Sequence, residues 1–145
     1  MNAIRVTKEW QRAGVHYVRV QAMCKGFAIP LDGEFNEGDT PKTPYILVMD
    51  DIYPVGTCRI HKLEDGRTAK IERVCVLEEY RKKGVGRLAV TEAENWLRED
   101  GIEKIIITSR DEAVGFYQAL GYIPDYDRVE KGGRFTIIYT EKNLK

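Results

Sequence analysis

Arg81-Lys82-Lys83-Gly84-Val85-Gly86 concentrates more chemistry than any other stretch of this chain, with four cations, counting Arg87, gathered around two glycines. Such a turn holds an anion when a helix begins at it. The first backbone N–H groups of a helix are unpaired and carry partial positive charge, and a glycine lets a phosphate approach without meeting a Cβ. The flanking elements are of the required kind. Residues 69–77 alternate in places and are rich in β-branched residues, as in a strand packed on at least one face. Residues 84–100 place Val85, Leu88, Ala89, Ala93, Trp96 and Leu97 on one helical face, and Gly101 follows as a C-terminal stop. The order is strand, basic glycine turn, helix.

Two other glycine motifs compete for this segment. Gly84-Val85-Gly86-Arg87-Leu88-Ala89 fits the dinucleotide pattern G-x-G-x-x-A, with Glu103 near the distance of a ribose-binding acid. In that fold the first glycine comes directly off the strand, whereas here residues 78–83 intervene and would put charges in the tight turn. The strand–helix repeats of a doubly wound sheet are also missing. The phosphate-loop NTPase pattern fails because no Gly-Lys-Ser/Thr follows the turn.

A second segment decides between the remaining readings. Ala113-Val114-Gly115-Phe116-Tyr117-Gln118-Ala119-Leu120-Gly121-Tyr122 has Ala113, Phe116, Tyr117 and Leu120 at i, i+3, i+4 and i+7, and ends in Gly121. The Arg-x-x-Gly-x-Gly turn resembles the acyl-CoA pyrophosphate loop of the GNAT N-acetyltransferase superfamily, and this second segment resembles that family's helix ending in "fYxxlGY". The two signatures stand in the family's order and at a usual separation. The resemblance runs from about Tyr45 onward and is weak before it. It implies an α/β (α+β) chain of the GNAT acyl-CoA N-acyltransferase fold, a mixed and mostly antiparallel central sheet flanked by helices.

The resemblance also implies roles. Val74, Cys75 and Val76 would pair their backbones with the pantetheine arm of acetyl-CoA, and Arg81, Lys82, Lys83, Gly84, Val85 and Gly86 would hold its phosphates. One departure is Arg110, at a position where many family members carry an asparagine. The reaction implied is attack of a neutral amine on a thioester, which needs a group to take the amine proton and an acid for the departing thiolate. Tyr117 resembles the family's tyrosine acid; it also fits a core aromatic, because it shares the stripe of Phe116 and Leu120. Glu72 is the candidate base, since strand parity puts it on the face of Val74 and Val76. An ion pair with a neighbouring lysine or arginine explains Glu72 equally well. A backbone N–H of residues 74–76, splayed from its neighbour, is placed to stabilise the tetrahedral oxyanion.

Composition sets the bounds. The 145 residues suit one domain, 1–145, and no linker or repeat divides them. Lys plus Arg and Asp plus Glu both number 23, so no net charge favours nucleic acid or an anionic membrane. Apolar runs such as Tyr45-Ile46-Leu47-Val48-Met49 are too short to span a bilayer. Cys24, Cys58 and Cys75 are scattered, as expected of reduced thiols in a cytoplasmic protein. His16 and His61 lack metal spacing, so no metal is expected. Cys75 has no histidine placed to activate it and reads as a buried apolar residue.

The remaining elements follow from periodicity. Residues 4–6 read as a first strand and Thr7 as the cap of a helix in which Trp10, Ala13, Tyr17 and Val20 recur at helical spacing. Residues 30–44 are acidic and turn-rich, a long loop or broken helix. Residues 45–49, 55–61 and 69–77 read as an antiparallel meander, 102–108 as a buried strand parallel to the last of these, and Gly132-Gly133 as the turn of a final hairpin. Arg19, Glu34 and Asp39 resemble a pattern of a bacterial GNAT subgroup, and a helix-to-loop ion pair explains them as well. Asp32, Glu34, Glu37 and Asp39 border the acceptor entrance in the family resemblance, which suggests a rim that favours cationic amines. The expected partner is a small-molecule or protein amine; family members are often dimers, so a homodimer is an expectation for this chain. The rival reading is a non-catalytic acyl-CoA-binding sensor module.

Overall fold

The computed structural model describes residues 1–145. In chain order the elements are β1 (Asn2–Arg5), α1 (Glu9–Arg19) with a π-helical continuation (Val20–Lys25), α2 (Leu31–Glu34), β2 (Tyr45–Asp50), β3 (Tyr53–Lys62) and β4 (Thr68–Val76). They continue with α3 (Val85–Glu99), β5 (Lys104–Arg110), α4 (Val114–Ala119), β6 (Ile123–Glu130) and β7 (Ile137–Asn143). The seven strands form one mixed sheet in the order β1-β2-β3-β4-β5-β7-β6. Every adjacent pair is antiparallel except β4 and β5, which are joined through α3 and run parallel.

The β4–β5 ladder is short. Thr68, Ala69 and Lys70 pair with Lys104, Ile105 and Ile106, and there the pairing stops. β5 continues to Arg110 along β7, and β4 continues to Val76 along β3, so the two strands part in the middle of the sheet. This leaves the β5-facing edge of β4 without a sheet partner just where it approaches the glycine turn. Unpaired backbone groups of this kind need other partners.

A bulge in β4 accompanies the parting. Arg59 pairs with Glu72 and Thr57 with Cys75, so Cys58 alone faces both Arg73 and Val74, and Arg73 sits at φ +54°. An extra residue reverses the alternation of side chains beyond it. Glu72, opposite Arg59, and Val76, opposite Gly56, therefore project from opposite faces. The shared face expected for Glu72, Val74 and Val76 is not formed, because a period of two does not survive a bulge.

The core is built on both faces of β2. Tyr45, Leu47 and Met49 pack with Val6 and Val15, while Ile46 and Val48 join Val55, Cys58, Ile60, Ile71, Ala89, Ala93 and Leu97. α1 buries a different face from the aromatic stripe in its sequence. Trp10 and Tyr17 are exposed, whereas Gln11, Val15, Val18 and Arg19 are buried. The Gln11 side chain also accepts hydrogen bonds from the N–H groups of Thr7 and Lys8, and the helix begins after Lys8 rather than at Thr7. No helix is long and apolar enough to cross a membrane.

Candidate active site

The glycine turn has the backbone of an anion cradle. Lys82 at φ +63° and Gly84 at φ +83° both adopt left-handed conformations, and α3 starts at Val85. Residues turned in this alternating way point successive N–H groups inward, and the unpaired N–H groups of the first helical turn add to them. A left-handed lysine costs energy, and such strain gathers at functional turns. A Cβ built on Gly84 would meet nothing within 4 Å, so the space beside the turn is open. Arg81, Lys82, Lys83 and Arg87 are exposed and none is ion-paired within the chain. Lys83 lies over the Tyr80 ring, its Nζ 5.4 Å from the centroid.

From this turn a cleft of about 290 Å³ runs into the gap between β4 and β5. Val74, Cys75 and Val76 line it from β4, and Arg110, Ala113, Phe116 and Tyr117 from β5 and the start of α4. Arg81, Lys82, Gly84, Val85 and Gly86 close the basic end, and Met23 and Phe27 come from the helix that follows α1. The residues singled out for the cofactor thus converge on one cleft, except Lys83, which lies beside it. Its lining is mainly apolar with polar groups at the ends, which suits an acyl-pantetheine arm carrying a pyrophosphate.

Tyr117 is buried, edge-on to Phe116 at 5.0 Å and to Tyr122 at 6.0 Å between centroids. Its hydroxyl makes no hydrogen bond within the protein, and the residue lines the cleft. Burial, then the neighbouring Cys58 and Cys75, raises its pKa well above that of a free phenol, so it stays protonated. Tyr122, at the end of the same signature, does a structural job. Gly121 turns the chain at φ +95°, and the Tyr122 hydroxyl donates to Glu94 Oε2 of α3 at 2.8 Å. Burial, then the charge of Glu34, pushes the Cys75 thiol up to about 12. A thiol so held is a packing group rather than a nucleophile.

Glu72 does not line this cleft. Its Oε1 lies 3.3 Å from Arg59 Nε, and its side chain retains 27% exposure. The pair belongs to a larger network that the acidic loop builds with α1. Arg19, wholly buried, donates from Nε to Glu34 Oε2 at 2.8 Å and from Nη1 to Asp39 Oδ1 at 2.5 Å. Arg59 Nη1 donates to Asp39 Oδ2 at 2.9 Å, and Arg73 Nε lies 3.5 Å from Glu34 Oε2. The Tyr45 hydroxyl also donates to Asp39. Burial alone would raise the Asp39 pKa, but the bonds from Arg19, Tyr45 and the Asn36 amide outweigh it and hold the carboxyl well below the usual range. Glu34 and Asp39 are therefore spent on internal pairs and form no acidic rim; Asp32 and Glu37 remain exposed.

Several residues around the site carried no local signal. Arg59 and Arg73 are ordinary strand positions in the sequence, and Phe27 and Phe135 lie 108 residues apart in it. In the structure these two rings meet edge-on at 5.3 Å beside Arg110. Only a long-range contact brings them together.

This sheet, parted between β4 and β5, with a glycine turn and helix at the opening, defines an acyl-CoA N-acyltransferase fold. A model of the acetyltransferase (GNAT) family matches residues 17–122, and the chain belongs to that family. A Bacillus subtilis (strain 168) protein named as an acetyltransferase is 34% identical over 124 residues, 84% of this chain and 83% of its own. An N-acetyltransferase structure from Lactobacillus plantarum superposes with a TM-score of 0.90 at 26% identity, covering 99% of this chain and 98% of that one. The structure of an aminoglycoside 6'-N-acetyltransferase complexed with coenzyme A shares the fold, with a TM-score of 0.78 at 12% identity over 100% of this chain and 98% of that one. The chain is thus an acetyltransferase of the GNAT family.

Proposed function

We propose that this chain transfers an acetyl group from acetyl-CoA to a primary amine by direct attack in a ternary complex, the 145 residues acting as one domain. The observation that carries the reading is the single cleft lined both by the unpaired basic turn and by Tyr117. Arg81, Lys82, Lys83 and the amides of residues 84–86 hold the pyrophosphate, and the free edge of Val74, Cys75 and Val76 aligns the pantetheine amides. The amine nitrogen attacks the thioester carbonyl carbon, and an N–H of the bulged strand supports the developing oxyanion. The C–S bond then breaks and Tyr117 gives its proton to the leaving thiolate. Glu72 lies outside the cleft with its Oε1 beside Arg59, so it takes the ammonium proton only through a chain of water, at the free Oε2.

The alternative, a sensor that binds acyl-CoA without turnover, would leave the Tyr117 hydroxyl without a task. Thermal shifts with acetyl-CoA, CoA, NADH and ATP, followed by thiol release across an amine panel, test both. Stabilisation by acetyl-CoA and CoA with thiol release supports the transferase; stabilisation without release from any amine supports the sensor; stabilisation by NADH alone refutes both.

A further inference from the structure

Arg110 is the last residue of β5 and lines the cleft beside Tyr117 and Cys75. Its guanidinium is held between two aromatic rings, 5.1 Å from the centroid of Phe27 and 5.0 Å from that of Phe135. The rings come from distant parts of the chain, and Arg134 Nη1 ties them by donating to the Phe27 carbonyl at 3.0 Å. Stacking of this kind fixes a planar cation without using its N–H groups. None of those groups makes a hydrogen bond within the protein, and Nη1 is buried with only an ion-pair contact. Its one ionic neighbour is Glu112 Oε1 at 3.2 Å, from a side chain 67% exposed, a surface pair of little worth.

The ion-pair network on the other side of the cleft wall sharpens the contrast. Glu34 is engaged by Arg19 and Arg73, Asp39 by Arg19 and Arg59, and Glu72 by Arg59. Three carboxylates thus face three guanidiniums, and Arg110 is a fourth with no comparable partner. Its positive charge is felt at both Cys75 and Tyr117. An ammonium entering here meets a cation whose one ionic partner is the exposed Glu112. A carboxylate meets a planar cation whose N–H groups make no hydrogen bond within the protein.

We propose that Arg110 recognises a carboxylate on the acceptor, so that the amine acetylated belongs to a molecule of amino-acid type. This rests on the transferase reading and adds the substrate class. It also reverses the preference for cationic amines that the acidic loop suggested in the sequence.

The test is thiol release from acetyl-CoA with acceptor pairs that share one amine and differ only in bearing a carboxylate or its carboxamide. α-Amino acids, ω-amino acids and spermidine make up the panel. The expected result is a kcat/KM at least about ten times higher for acids than for their amides, with spermidine poorest. Arg110→Gln should collapse the acid-to-amide ratio toward one by raising KM for the acids, and the acetyl-CoA thermal shift should persist. Arg110→Lys, which keeps the charge and loses the fork, should restore part of the ratio and guards against a folding artefact. Amides or spermidine used as well as acids would overturn the proposal, as would an equal loss on acids and amides in Arg110→Gln. A lost acetyl-CoA shift in both folded variants would also overturn it and assign Arg110 to the cofactor arm. No thiol release from any member by a protein that acetyl-CoA stabilises would instead refute the transferase reading, and this proposal with it.

Discussion

Gly86 packs against the edge of Phe116: a Cβ at position 86 would lie 3.1 Å from the ring's Cζ. This contact joins the glycine turn to the Phe-Tyr helix. The first supplies the basic end of the cleft and the second its far wall, and the missing side chain at Gly86 lets them close on each other. Gly86→Ala should cost little stability, since Phe116 is 39% exposed and can yield. It should weaken acetyl-CoA binding by moving that ring within the cleft. Calorimetric titration beside a melting curve checks this, and full affinity in the folded variant would refute the contact's role.

A tighter glycine lies beneath the helix. A Cβ on Gly56 would come 2.3 Å from Val85 Cγ1, in the buried crossing of α3 over β3. Gly56→Ala should destabilise by about 1–3 kcal/mol through overpacking. Val85→Ala opens the space, so the double variant should lose less than the sum of the two single ones. Additive losses in urea unfolding would show that the strain is relieved elsewhere.

Gly84 tests the anion cradle differently, because its surroundings are open and only its backbone is restrictive. With φ +83°, Gly84→Ala should cost roughly 1–2 kcal/mol, and Gly84→Asn less, since asparagine tolerates the left-handed region. Both project a Cβ into the space beside the turn and should reduce acetyl-CoA affinity. A folded Gly84→Asn protein that binds acetyl-CoA unchanged would remove this turn from the site.

Tyr117→Phe should lower kcat by roughly 100-fold if the hydroxyl is the acid, with acetyl-CoA affinity nearly intact. The raised pKa of Tyr117 adds a pH expectation. A phenol kept neutral above its ordinary value of 10.0 remains a proton donor, so kcat should not decline from its ionisation below pH 10. A fall in kcat below that pH that disappears in Tyr117→Phe would contradict the burial argument.

Asp39 contributes to the acid dependence of stability. Its folded pKa lies below the ordinary 3.8, so the unfolded chain binds the proton more readily. The contribution is complete above the unfolded value and is lost as pH falls from there toward the lower folded value. Asp39→Asn should cost about 3–5 kcal/mol at neutral pH, because Arg19 and Arg59 lose a buried partner. It should also flatten the decline of urea midpoints below pH 4 relative to the parent. Unchanged acid sensitivity in the variant would assign that sensitivity to other carboxylates.

The meander, the parallel strand–helix–strand unit and the glycine turn were legible in the sequence because each rests on local rules: alternation, helical periodicity, and glycine where phosphate must approach backbone. The helix of residues 9–19 was legible as a helix but not by its buried face. Trp10 and Tyr17 mark the more apolar stripe, yet the chain buries Arg19, because the carboxylates of Glu34 and Asp39 await it across a loop whose path the stripe does not contain.

The sequence by itself determined the family, and most of the residues it marked for a cofactor come together in one cleft, since two short motifs at a set separation carry both. Tertiary structure alone decided where the charges stand. The bulge at Arg73 turned Glu72 away from Val76, the ion-pair network drew the acidic loop inward, and two distant phenylalanines closed on Arg110. Each outcome depends on a register shift or on a contact between residues far apart in the chain, and neither leaves a periodic trace in the sequence.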